Sequence, residues 1–146
     1  MNEVKIVNCG LENMTQRMNT NLDAMADYYN LINPNEIWNF ISNIEGMLEL
    51  INILAELIKK YFPNANTYLA FEEDFDEDAD CIYAYILNEE LSYEENDELS
   101  ELCFKEYRKF RNKYHEAWLR LNFDIQYDEE YFINCQKAPE IYNKHI

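Results

Sequence analysis

Between residues 33 and 128 the apolar positions change period three times, and this alternation restricts the chain to a mixed α and β architecture. Over residues 37–61 they recur with helical spacing. Ile37, Ile41, Ile44, Leu48, Ile51, Leu54 and Ile58 form one line, and Phe40, Met47, Leu50, Leu57 and Tyr61 form a second. Residues 66–72 and 81–87 then read as two strands, the first alternating Tyr68, Ala70 and Glu72 with Thr67, Leu69 and Phe71. A helical stripe returns through Leu99, Cys103, Tyr107, Phe110, Tyr114, Ala117, Trp118 and Leu121. A last alternation sets Phe123, Ile125 and Tyr127 against Asp124, Gln126 and Asp128, which predicts a third strand.

Only 2 Gly and 3 Pro occur in 146 residues, so long elements are favoured over a loop-rich scaffold. Asn33-Pro34-Asn35-Glu36 predicts a helix start, with Asn33 as cap, Pro34 in the first turn and Glu36 closing a capping box. Ser92-Tyr93-Glu94-Glu95 predicts a second. The first helix should end near Phe62-Pro63, after Lys59 and Lys60, with Gly46 as the place where it bends or breaks. Upstream, residues 4–7 suggest a short strand or arm. Residues 11–18 and 21–29 suggest two short helices, the second capped by Thr20. Residues 129–146 carry no assignable pattern. The expected fold is a single α+β domain over residues 1–146. Its core, 33–128, has the order α-β-β-α-β: a small, mainly antiparallel sheet against two long amphipathic helices.

A formal net charge of −17 narrows the function classes. It argues against direct nucleic-acid binding and against anionic membranes, both of which attract Lys and Arg. A hydrophobic content of 48% with 12 Tyr and 8 Phe excludes an acidic disordered chain. Cys9, Cys81, Cys103 and Cys135 stand far apart, no signal peptide is recognisable and no apolar run is long enough to span a membrane. Reduced thiols in a cytoplasmic protein are expected.

The acidic connection between the two strands is the first candidate for chemistry. Asp74, Asp76 and Asp78 have the spacing of EF-hand ligands, but Ala79 and Tyr85 stand where that loop needs Gly and Glu. Glu3-Val4-Lys5 is an E-x-K without the acidic partner of a two-metal nuclease. His115 and His145 are too far apart in sequence to form a recognisable zinc motif, and no nucleophile motif or phosphate-binding Gly loop is present. No catalytic residue, metal ligand or cofactor is therefore assigned. Glu72, Glu73, Asp74, Asp76, Glu77, Asp78 and Asp80, with Glu94, Glu95 and Asp97 at the head of the second long helix, are the partner-binding candidates. Lys105, Arg108, Lys109 and Lys113 make a basic helix face, either paired with Glu101 and Glu106 or used in self-association. Trp38, Trp118 and Cys103 are expected in the core.

Several of these features occur together: Tyr61-Phe62-Pro63-x-Ala65, two strands about an acidic turn, Ser92-x-Glu94-Glu95, Phe110 and Trp118 on a helix, and Phe123-x-Ile125-x-Tyr127. Over about half its length the chain thereby resembles small uncharacterised prokaryotic α+β proteins found beside toxin–antitoxin or mobile-element genes. The resemblance implies a partner-binding role and carries over no catalytic residue. The expected function is a non-enzymatic acidic module that binds a basic protein partner, in the manner of an antitoxin or an anti-defence inhibitor. A divalent-metal-dependent hydrolase using the acidic hairpin is one alternative. A structural module that homodimerises through the wide apolar face of residues 37–61 is another.

Overall fold

The computed structural model describes residues 9–73, 80–136 and 139–143, with side chains from Arg17 onward. Residues 3–7, most of the acidic connection and His145 lie outside these residues. The first element is α1 (Cys9–Met25), which passes through Thr20 without interruption. The two short helices expected here are one, because no Gly or Pro follows Gly10 until Pro34. Next come β1 (Asn30–Ile32), α2 (Pro34–Ile41), α3 (Met47–Tyr61), β2 (Asn66–Glu72) and β3 (Cys81–Leu87). The chain continues with α4 (Tyr93–Tyr107), a 3₁₀ turn (Arg108–Phe110), α5 (His115–Leu119), β4 (Leu121–Gln126), α6 (Glu129–Asn134) and β5 (Ile141–Tyr142).

Among the described residues the sheet has five strands, in the order β4-β3-β2-β1-β5. β2 and β3 form the expected antiparallel hairpin over seven rungs, from Asn66 opposite Leu87 to Glu72 opposite Cys81. The sheet as a whole is mixed rather than mainly antiparallel. β1 runs parallel to β2, β3 runs parallel to β4, and β5 is antiparallel to β1. Both parallel pairs follow from helical crossovers, α2–α3 in the first and α4–α5 in the second, each of which returns the chain to its starting end. β1, α6 and β5 also extend the expected α-β-β-α-β order at both ends.

Both long helices are broken. Gly46 adopts φ 80° in the left-handed region, and a Cβ there would meet the Tyr114 ring at 2.9 Å. The break separates α2 from α3 and lets both apolar lines reach the interior. The second helix yields to a turn after Phe110, where Trp118 Nε1 returns to donate to the Tyr107 carbonyl at 3.1 Å. The basic face is divided accordingly, with Lys105 in α4, Lys109 in the 3₁₀ turn and Lys113 in the following turn. Glu106 pairs instead with Lys60 at 2.8 Å and accepts the Tyr61 hydroxyl, which ties α4 to α3.

The Ser92–Glu95 capping box forms as expected. The Asn33 box does not. Asn33 stands at the N-cap position, left-handed at φ 51°, but its side chain makes no cap bond, because its oxygen accepts the Glu140 amide at 2.9 Å. Its own amide donates to the Glu140 carbonyl at 2.7 Å, so this residue fixes β5 beside β1.

The main core lies between the sheet and α1–α5, and Leu69, Ile82, Ala84, Ile86 and Leu121 reach it from the strands. Ile37, Met47, Leu50, Ile51 and Leu54 are fully buried in it, so the sector considered for dimerisation is largely occupied by the chain's own core. Cys103 is buried there as expected, and Trp38 and Trp118 pack against it. A smaller cluster on the opposite sheet face gathers Ile32, Tyr68, Ala70 and Leu87 about Phe132 of α6. Among the described residues no helix is long and apolar enough to cross a membrane.

Candidate functional site

The two faces of the sheet are covered unequally. Among the described residues five helices pack on one, whereas only α6 packs on the other. Strand alternation sends Tyr68, Ala70 and Glu72 of β2 to this second face, with Cys81, Tyr83, Tyr85 and Leu87 of β3 and Asn122, Asp124 and Gln126 of β4. The register sets Tyr85 between Tyr68 and Asp124, and Tyr83 between Ala70 and Asn122. The Tyr83 and Tyr85 rings stack, with centroids 5.4 Å apart and planes 15° from parallel. Phe132 closes one end by packing on Tyr85 at 4.8 Å and on Tyr68 at 5.4 Å. Tyr83, Glu72, Cys81, Asn122 and Asp124 lie on the part that retains solvent exposure.

The hydroxyls of two of these tyrosines are committed to carboxylates. Tyr85 donates to Glu72 at 2.9 Å. Tyr68 donates to Glu129 at 2.7 Å, and Asn66 Nδ2 reaches the same oxygen at 2.5 Å. Burial first, and then these acceptors, raise both phenols well above the ordinary tyrosine range. Tyr83 is raised by burial and by the nearby Cys81, Asp124 and Glu72. Burial also raises the Cys81 thiol, against a lowering hydrogen bond with the Asn122 side chain. Cys81 is thus held as a protonated thiol, the unreactive form. Asp124 is exposed and accepts from Gln126 Nε2 at 3.2 Å. Among the described residues, neither Asp124 nor Glu72 forms a salt bridge with a cation.

The sequence candidates fall into two groups at opposite ends of β3. Glu72 and Asp80 adjoin Cys81, where the Asp80 carbonyl accepts Arg120 Nη1 at 3.1 Å, and Glu73 is exposed just beyond β2. Asp74, Asp76, Glu77 and Asp78 lie outside the described residues. Glu94, Glu95 and Asp97 occupy the first turns of α4, beyond the Leu87 end of β3. Seven strand residues, roughly 20 Å, separate the two ends. Glu95 is committed to the capping box, and its bonds to Ser92 lower its pKa. Asp97 remains exposed, and the Tyr127 phenol is raised first by burial and then by Tyr93, Asp97 and Asp124, its ring stacking on Tyr93 at 4.9 Å. A buried amide pair fixes this end. Asn88 Nδ2 donates to Asn96 Oδ1 at 2.9 Å, and Asn96 Nδ2 donates to the Asn88 carbonyl at 3.2 Å.

Sequence reasoning did not single out Tyr83, Tyr85 and Asp124. The available signal was the alternation of Cys81, Tyr83 and Tyr85 with the small and aliphatic Ile82, Ala84 and Ile86. Among the described residues no three His, Cys, Asp or Glu side chains gather to hold a metal. His115 is exposed at the start of α5, on the far side of the sheet from this face. What the face offers is aromatic surface rimmed by carboxylates, chemistry that suits Lys and Arg side chains. No protein-family model matches the chain, and no curated protein or solved structure matches it significantly.

Proposed function

We propose that the chain is a non-enzymatic binding protein for a basic protein partner, and that the tyrosine–carboxylate face of the sheet is where it binds. The observation that carries this reading is the stacked Tyr83–Tyr85 pair flanked by Glu72 and Asp124, on the sheet face that α6 leaves partly open. Guanidinium and ammonium groups gain there from ring faces and carboxylates together, and a charge of −17 speeds their approach. In its narrower form the reading makes the chain an antitoxin-like or anti-defence inhibitor that masks a basic, nucleic-acid-binding surface.

The test uses an Arg- and Lys-rich peptide with charge-matched variants. Glu72→Gln with Asp124→Asn removes two charges from the face. Glu45→Gln, in the turn between α2 and α3, with Glu56→Gln of α3 removes two from exposed positions on the helical side of the sheet. The face pair should weaken binding by about fivefold to tenfold at low salt, and the helical pair by less than about twofold. Equal losses in the two variants would mean that the peptide senses net charge alone, and the reading would fail.

A further inference from the structure

We propose that the open edge of β4 accepts an extended segment of the basic partner as a sixth strand of the sheet, a segment in which apolar and basic residues alternate. This rests on the reading above and states the form in which such a partner engages.

Among the described residues β4 ends the sheet on one side. Ile82 donates to the Arg120 carbonyl at 2.8 Å and Asn88 to the Gln126 carbonyl at 3.2 Å, so the even-numbered residues of β4 face β3. The N–H and C=O groups of Leu121, Phe123 and Ile125 therefore point off the sheet. The Leu121 carbonyl is already taken by the Tyr107 hydroxyl at 2.6 Å, which closes that end of the edge. Among the described residues nothing bonds the outward groups of Phe123 and Ile125. Two rungs of unpaired backbone make a template for strand addition.

The surroundings of the edge specify the added strand. A groove of about 500 Å³ lies between α4 and β4, its floor lined by Phe104, Tyr107 and Phe123 and its rim by Glu101, Lys105 and Arg108, whose net positive charge disfavours a basic side chain inside it. Phe104 packs near Trp118 and Phe123 and still leaves 42% of its surface exposed beside the groove. Side chains of an added strand that point toward the helices would enter this groove and cover Phe104, so they are apolar. The residue opposite Asp124 emerges on the other face, within reach of its carboxylate, so it is basic.

A second copy of the chain fits this edge poorly. Pairing the two free rungs about a twofold axis sets Phe123 against Ile125 and brings the two Asp124 side chains directly opposite one another. Each chain also carries a net charge of −17. Like charges directly opposite destabilise a strand pair, whereas a basic residue in that place stabilises it.

The probe is a short labelled peptide alternating Val and Lys, compared with the same peptide N-methylated on every second amide and with a Val–Glu version. Binding is read by fluorescence anisotropy, and amide hydrogen exchange is followed at Phe123 and Ile125. The Val–Lys peptide should slow exchange at both amides about tenfold. N-methylation should weaken its binding about tenfold, and the Val–Glu peptide should not bind. Ile125→Pro should weaken binding similarly, and because that amide faces outward the substitution removes no ladder hydrogen bond. The N-methylated arm leaves the protein unchanged and decides the matter if this variant fails to fold. Salt-sensitive binding that survives N-methylation and leaves both amides unprotected would overturn the edge inference and leave the acidic-receptor reading standing. Failure of every cationic probe would overturn both. A wild-type dimer with Phe123 and Ile125 protected before any peptide is added would show a second copy in this place and overturn the inference.

Discussion

Replacing Gly46 by Ala tests the physical cause of the break between α2 and α3. Gly46 sits at φ 80°, ψ −4°, where an L residue incurs about 1–2 kcal/mol of backbone strain. Ala also has less freedom than Gly in the unfolded chain, which offsets about 0.4–1 kcal/mol of this. The new Cβ would stand 2.9 Å from Tyr114 Cδ1 and 3.4 Å from Cε1, so the ring must move. That ring is held at its far end by a 2.9 Å hydrogen bond from its hydroxyl to Glu49. Disturbing this exposed bond adds about 0.5–1 kcal/mol. The net expectation is a loss of about 1–2 kcal/mol, or roughly 2–8 °C in Tm for a chain of this size. Urea denaturation followed by circular dichroism measures it. In a Tyr114→Ala background the clash disappears, and Gly46→Ala should cost about 0.5 kcal/mol less than in the wild type. A Gly46→Ala protein as stable as the wild type would refute the backbone argument. A penalty unchanged by Tyr114→Ala would refute the steric one.

Other expectations follow from groups already placed. Tyr107→Phe leaves the Leu121 carbonyl without its donor, and urea denaturation should show a loss of about 1–2 kcal/mol. Asn96→Ala breaks the buried amide pair with Asn88 and should cost about 1–3 kcal/mol by the same assay. Burial holds the Tyr29 and Tyr107 phenols above their ordinary range, so the fold keeps protons that the unfolded chain releases from about pH 10. Stability contributed by these two groups is complete below that pH and falls above it by about 3 kcal/mol per pH unit. Tyrosinate absorbance should rise together with loss of circular dichroism, and ionisation of all tyrosines with the fold intact would contradict this. Exposed Cys135 should alkylate well before Cys103, whose thiol is buried and raised to about 12 and which stays unmodified in peptide mapping at mildly alkaline pH.

How much the sequence could disclose depended on whether each feature is written locally. The β2–β3 hairpin and the Ser92 box were legible because alternation and capping chemistry lie within a few residues. β1 was not, since Asn30, Leu31 and Ile32 are all buried and show no alternation. The parallel pairing of β3 with β4 arises from a crossover and leaves no signature inside either strand. Asn33 has the composition of a cap, but its side chain is drawn to Glu140, 107 residues away. The candidate face was half legible. Tyr83, Tyr85 and Asp124 were visible as alternating strand residues, but their exposure depends on how far α6 reaches, and α6 comes from a tail without a readable pattern.

The attachment of Glu140 to Asn33 also bears on the order of assembly during synthesis. The earliest of the described strands takes the fourth place in their sheet, whose fifth is supplied by residues 141–142. It can pair with β2 once some forty further residues have emerged, but its other edge stays bare until nearly all of the chain described here has been made. For that interval a nascent chain presents Leu31 and Ile32 on an unpaired border, where a chaperone or a neighbouring nascent copy can pair with it. Asn33 is therefore a latch between the earliest and the latest of the described strands. Truncations that remove residue 140 should act on folding yield at the ribosome before they act on the equilibrium stability of the finished domain.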